Sequence, residues 1–356
     1  MLPPFGWSAV VTVWQFAPIV TGFTAVAAVA YLWGVVRVAR RHPARPWPAW
    51  RTAMFLGGLA VVVLATQSGI GAYDDVLFWD HMVQHLMLLM AAPVLLIFGQ
   101  PVTLLLHASR NPLHTWTKRV VRSRVVSFLT WPVFGFAAYA VAVVAAHLTG
   151  IANLVEANQA VHNAEHAGFL IIGYLFFLPI IGSEPIRWRL SYPVRFIILV
   201  LAMPIDTFTG LMLGYGSAGT PGVTAAGRPA WAPSPVADLH AGGAVMWVAG
   251  DGLMFALMMI VYMLWSMDDR AAVSGHGWFE AARRTNLASL VASQSARGVS
   301  GRPDGAVGSQ ASAEPQPASA AATWRDGPGG IDDDEHLAAY NAFLASLNEA
   351  GPGRRP

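Results

Sequence analysis

The stretch VLFWDHMVQHLMLLMAAPVLLIF, residues 76–98, decides how the rest of the chain is read. As a helix it is long enough to cross a hydrocarbon layer of about 30 Å, which takes about 20 apolar residues. Within it His81 and His85 stand four positions apart, so both imidazoles leave one helical face, one turn apart. A membrane helix that opens on paired histidines needs a chemical reason for carrying them.

Working outward, six more apolar runs appear, at 19–38, 53–73, 125–146, 161–182, 193–214 and 243–265. Hydrophobic residues make up 55% of the 356 and charged ones only 12%, against about 25% charged in soluble domains. Backbone groups in lipid must be hydrogen-bonded internally, so the runs are predicted to be helices. The expected fold is an all-α, polytopic membrane bundle of about seven spans.

Charge placement supports that count. Arg37, Arg40, Arg41, Arg45 and Arg51 follow the first run; Arg110, Lys118, Arg119, Arg122 and Arg124 follow the third. Arg187, Arg189 and Arg195 follow the fifth, and Arg270, Arg283 and Arg284 the seventh. The connections between carry Asp74 and Asp75, then Glu156, then Arg228 alone. The positive-inside rule then predicts an outer N-terminus and a cytoplasmic C-terminus. A multi-pass protein of the bacterial plasma membrane is expected, with the lipid bilayer as its first partner. Because the arginines flank spans, they read as topology signals and no nucleic-acid partner is expected. The first run lacks a basic lead and reads as a span rather than a cleaved signal.

Beyond the bundle, taken as 15–270, composition shifts. Residues 271–330 read as a disordered cytoplasmic linker, rich in Ala, Ser, Gly and Pro from 285 onward. Residues 331–356 read as a short amphipathic helical tail, with Leu337, Tyr340, Leu344 and Leu347 at helical spacing. A docking element and a solvated tail are both compatible with it.

The histidines recur in the segment VHNAEHAGF, residues 161–169, where His162 and His166 repeat the four-residue spacing beside Glu165. His147 ends the fourth run and His240 precedes the seventh, so all six fall at the outward ends of their helices. There is no cysteine, which excludes disulfides and thiolate ligation. The candidate metal ligands are therefore His81, His85, His147, His162, His166 and His240. Neutral imidazole suits copper, zinc, iron and nickel. Met82, Met87 and Met246 are possible soft ligands that favour Cu(I), although methionine also fills apolar cores.

Asp206 and Asp251 stand inside the sixth and seventh runs, where a central charge costs roughly 2.5–3.5 kcal/mol on insertion scales. His240 and Asp251 share a helical face. Together with Glu165, these carboxylates are expected to orient imidazoles or relay protons or cations; locking helices together is the structural alternative. Two other functional classes stay open at this point. Paired imidazoles can ligate haem axially, which would make the chain a membrane electron-transfer protein. The two aspartates could instead couple the movement of a small ion.

The segments HMVQHLMLLMAAPVLLIFGQPVTLLL (81–106), AAHLTGIANLVEANQAVHNAEHAGFLIIGYLFFLPIIG (145–182) and AVMWVAGDGLMF (244–255) resemble the CtaG family. These are seven-span membrane proteins implicated in assembly of cytochrome c oxidase, and the resemblance covers roughly residues 15–270. It implies a non-catalytic role in maturing the oxidase, by supplying or inserting copper at its catalytic subunit, which becomes the implied partner. The resemblance extends most directly to His81, His85, His147, His162, Glu165 and His166.

Overall fold

The computed structural model describes residues 2–217, 220 and 228–299. Among the described residues there is no strand. The principal helices are α1 (Pro18–Arg41), α2 (Ala49–Tyr73), α3 (Phe78–Ala108), α4 (Pro132–Leu148), α5 (Gln159–Ile181), α6 (Tyr192–Gly214) and α7 (Pro235–Val299). Six of them are long and apolar enough to cross a membrane, α7 doing so within Pro235–Asp268.

The exception is α4. Its 17 residues extend about 25 Å at about 1.5 Å each, slightly short of the hydrocarbon layer. The run expected at 125–146 is divided, because a separate helix, Arg124–Leu129, ends before Pro132 opens α4. Proline lacks the N–H that would continue the ladder and holds Trp131 in extended backbone, at φ −68° and ψ 126°.

Proline also shapes α3. Its hydrogen-bond ladder is α from Phe78 to Leu86, widens to a π turn at Met87–Ala91, and resumes at Ala92–Phe98. Pro93 has no N–H to offer the Leu89 carbonyl and its ring crowds that oxygen, so the helix widens there. The freed carbonyl faces Gly173 of α5, where a Cβ would overlap it and would lie 2.9 Å from Pro93 Cγ. A glycine at that position lets the α3 and α5 backbones meet just below their paired histidines.

Helix α3 runs between α2 and α5, and α4 packs on α5 and α6. The main apolar core joins α2 through α7, including Met82, Leu86, Tyr139, Phe169, Phe176, Leu213 and Met246. Helix α1 is peripheral, with Phe23, Val26 and Val29 exposed on the face turned away from the protein. Two buried carboxylates cap helices far from them in sequence. Glu184 accepts from the Val102 and Thr103 N–H groups at 3.0 and 2.8 Å, in the first turn of Pro101–Ala108, the last segment of α3, which restarts after Gln100 in left-handed backbone at φ 50°. Asp238 accepts from Phe78 and Trp79 at 2.9 and 3.1 Å.

The chain divides into two units, Met1–Arg283 and Arg284–Pro356. Backbone helix continues in α7 to Val299, so the first part of the stretch expected as linker, 271–299, is helical. Its alanines, two leucines and arginines are good helix formers and favour the continuation, against the glycines at 275, 277 and 298. The rest of the expected linker and the tail at 331–356 lie outside the described residues.

Candidate metal centre

The site begins with the cap on α3. Leu77 offers no side-chain cap, so the first N–H groups of α3 are satisfied from α7 by Asp238. Arg228 neutralises the same carboxylate at 2.5 Å. At the start of α5, Asn158 accepts from Ala160 and Val161 at 2.9 and 3.4 Å. Both histidine-bearing helices thus start at positions set by hydrogen bonds.

Five of the six predicted histidines come together. The rings of His81 and His85 lie 4.0 Å apart, those of His162 and His166 4.3 Å apart, and His81 and His162 join the pairs at 5.3 Å. His147 meets the layer from α4, its Nε2 3.0 Å from His85 Nδ1.

The hydrogen bonds assign protons along this chain. His147 Nδ1 is 2.7 Å from the Val143 carbonyl oxygen, which can only accept, so Nδ1 carries the proton. In the neutral ring Nε2 is then the acceptor, and His85 donates to it from Nδ1. The Nε2 lone pair of His85 is left pointing at Glu165 Oε2, 3.4 Å away. His147 therefore has both nitrogens engaged and orients His85; the free donor atom belongs to His85.

Two carboxylates that in the sequence read only as loop charges join the layer. His162 Nε2 is 3.7 Å from Asp74 Oδ2, and its Nδ1 is 3.6 Å from Asp75 Oδ1. Gln84, buried one position before His85, holds Asp74 with a hydrogen bond of 2.8 Å and reaches the Ala65 carbonyl at 2.9 Å. Burial, reinforced by the neighbouring Asp75 charge, pushes the Asp74 carboxyl up to about 7. Asp80 is also buried, with Oδ2 unpartnered. The signal for these residues was their adjacency to α3 in the segment AYDDVLFWDH, 72–81.

Four buried atoms of the layer have no hydrogen-bond partner: His85 Nε2, Glu165 Oε2, His162 Nε2 and His166 Nε2. Leaving such atoms unpaired costs about 1–3 kcal/mol each. Cations held in the layer would relieve them: His85 Nε2 and the Glu165 carboxylate each present a lone pair, and His162 and His166 do so in the tautomer protonated at Nδ1. Two sets of three have their donor atoms within 4.8 Å of one another: His81, His85 and Glu165, and Asp74, His162 and His166. Imidazole with carboxylate is a fitting donor set for a borderline first-row ion.

The remaining predicted residues lie elsewhere. His240 is exposed and bonds the Gly216 carbonyl through Nε2 at 3.1 Å, apart from the layer. The reason is azimuth: α7 meets α3 at Gly242, against Phe78 and Met82, while His81 and His85 project toward α4 and α5. Met82 thus faces α7, Met246 lies in the apolar core, and Met87 packs against that core from the π turn. Asp206 accepts from the Tyr139 hydroxyl at 2.8 and 2.7 Å, and Asp251 accepts from Thr207 at 2.6 Å. These bonds tie α4 to α6 and α6 to α7.

A multi-pass membrane bundle with a buried imidazole–carboxylate layer at one end is the class that fold and site define. The family of the cytochrome c oxidase caa3 assembly factor, Caa3_CtaG, matches residues 29–268, and the chain belongs to it. Over 275 residues the chain is 32% identical to the uncharacterized proteins Mb0105 of Mycobacterium bovis and MT0111 of Mycobacterium tuberculosis. Uncharacterized protein ML1998 of Mycobacterium leprae is 31% identical over 271 residues. Each alignment covers 74% of this chain and 41% of the relative, so the chain spans about two fifths of the relatives' length. No solved structure matches the chain.

Proposed function

We propose that the chain is a non-catalytic assembly factor for cytochrome c oxidase that holds copper, as cargo, in the histidine layer and passes it to the oxidase. The family supplies the link to the oxidase. The observation that carries the copper reading is the set of buried, unpartnered donor atoms on His85, Glu165, His162 and His166. With no cysteine in the chain, release does not have to break a thiolate cage. The layer lies at the ends of α3 and α5 remote from the arginine-rich loops, and under the positive-inside rule this supports an extracytoplasmic position.

The packing speaks against haem. Imidazole centroids lie 4.0 to 6.3 Å apart within and between the pairs, and the backbones of α3 and α5 meet at Gly173 just below them, which leaves little room for a macrocycle between the helices. The ion-transport reading loses support because Asp206 and Asp251 each accept a hydrogen bond that ties helices together. The test is chromosomal replacement of His81→Ala with His166→Ala in the host bacterium. Oxidase copper content and activity fall if the reading is right. Wild-type levels of both, with the variant present in the membrane, overturn it.

A further inference from the structure

We infer that the layer is two cation sites rather than one: His81, His85 and Glu165 hold one divalent first-row ion, and Asp74, His162 and His166 hold a second. The inference rests on the copper reading above for the identity of the cargo, but its geometry stands by itself. Each set gathers three donor atoms within 4.8 Å, and the sets share no residue. Each contains two imidazoles and one carboxylate, drawn from different helices or from the turn between α2 and α3.

Separations within the sets distinguish coordination from hydrogen bonding. His85 Nε2 to Glu165 Oε2 is 3.4 Å and His162 Nε2 to Asp74 Oδ2 is 3.7 Å, long for hydrogen bonds. Donors held about 2.1 Å from a tetrahedral ion stand about 3.4 Å from each other. The observed spacings therefore fit an ion between the donors better than a proton between them.

The same atoms favour two sites over a single merged one. His147 is fully engaged by Val143 and His85, so it cannot bridge. Asp74 is anchored by Gln84, which also bonds the Ala65 carbonyl of α2. Ion class follows from the donors. Two nitrogens and a hard carboxylate oxygen favour Cu(II) or Zn(II) over Cu(I), because the thioethers of Met82 and Met246 lie in the apolar core. The chemistry of the paired sites is thus one of divalent, borderline cations, two per chain.

The experiment uses the full-length protein in detergent, stripped with EDTA, equilibrated with Cu(II) and desalted, with copper counted by mass spectrometry. Two equivalents are expected for the wild type. Glu165→Gln with His81→Gln retains one, and Asp74→Asn with His166→Gln retains the other. One equivalent in the wild type overturns the inference, as does loss of all copper from either pair in protein that stays monodisperse and helical. Should a pair fail to fold, the single isosteric changes Glu165→Gln and Asp74→Asn each weaken only one of the two phases of a Cu(II) titration; equal weakening of both phases overturns it. A readout that needs no variant is the EPR spectrum of the loaded wild type. Neighbouring Cu(II) ions broaden each other's signal, and two equivalents without dipolar broadening refute neighbouring sites. Binding is read without the oxidase. Two bound ions alongside unaffected oxidase maturation therefore sink the assembly role and leave the paired sites standing, and the converse result does the reverse.

Discussion

His147→Leu isolates the role of the residue that orients the site. Leucine fills much of the space of the imidazole but accepts nothing, so the Nδ1–H of His85, a residue only 4% exposed, loses its partner. An unpaired buried donor costs about 1–3 kcal/mol. The ring also loses the constraint that leaves its Nε2 lone pair facing Glu165. At about 1.4 kcal/mol per tenfold, the expected loss is about 10- to 100-fold in Cu(II) affinity, the range typical of an orienting partner behind a metal ligand. His147→Gln restores a carbonyl oxygen near the position of Nε2 and is expected within a few-fold of wild type. The assay is competition with a chelator of known affinity, with the number of coordinating nitrogens read by EPR. If His147→Leu removes a coordinating nitrogen and His147→Gln fails to rescue, His147 is a ligand and the proton assignment is wrong. Wild-type affinity in both variants refutes the reasoning as well.

Gly173→Ala places a methyl group against the Leu89 carbonyl, so α3 and α5 must separate. Destabilisation of about 1–3 kcal/mol, with weakened Cu(II) binding despite untouched ligands, is expected in thermal unfolding and titration. Asp238→Asn leaves Arg228 without its counter-charge and weakens the cap on α3, with a melting temperature lowered by the loss of about 1–3 kcal/mol. An unchanged melting curve would mean that the cap is not needed. His240→Ala, lying outside the layer, is expected to leave copper stoichiometry and affinity unchanged; a lost equivalent would bring it back as a ligand.

Much of the bundle was legible because its causes are local. An apolar run in lipid must satisfy its own backbone, and the spacing of His81 and His85 or of His162 and His166 follows from helical pitch alone. Where local rules failed, a single residue is identifiable. Pro132 cut the run at 125–146, and Pro93 opened the π turn. Asp74 and Asp75 carry no such signal, because charge beside a span ordinarily reads as loop, and only the fold shows Asp74 buried against Gln84 and His162.

The sequence by itself determined the all-α membrane class, the paired imidazoles and the exclusion of thiolate chemistry. Tertiary structure alone decided which of those imidazoles present free donor atoms. His147 became an orienting acceptor, His240 was left at the surface, and Asp74 was drawn in. The physical reason is that helical pitch sets spacing along one helix, whereas the rotation of each helix against its neighbours is set by contacts such as Gly173 on Leu89 and Gly242 on Met82. Those contacts follow no period in the sequence, so the donor sets they assemble appear only once the helices are packed.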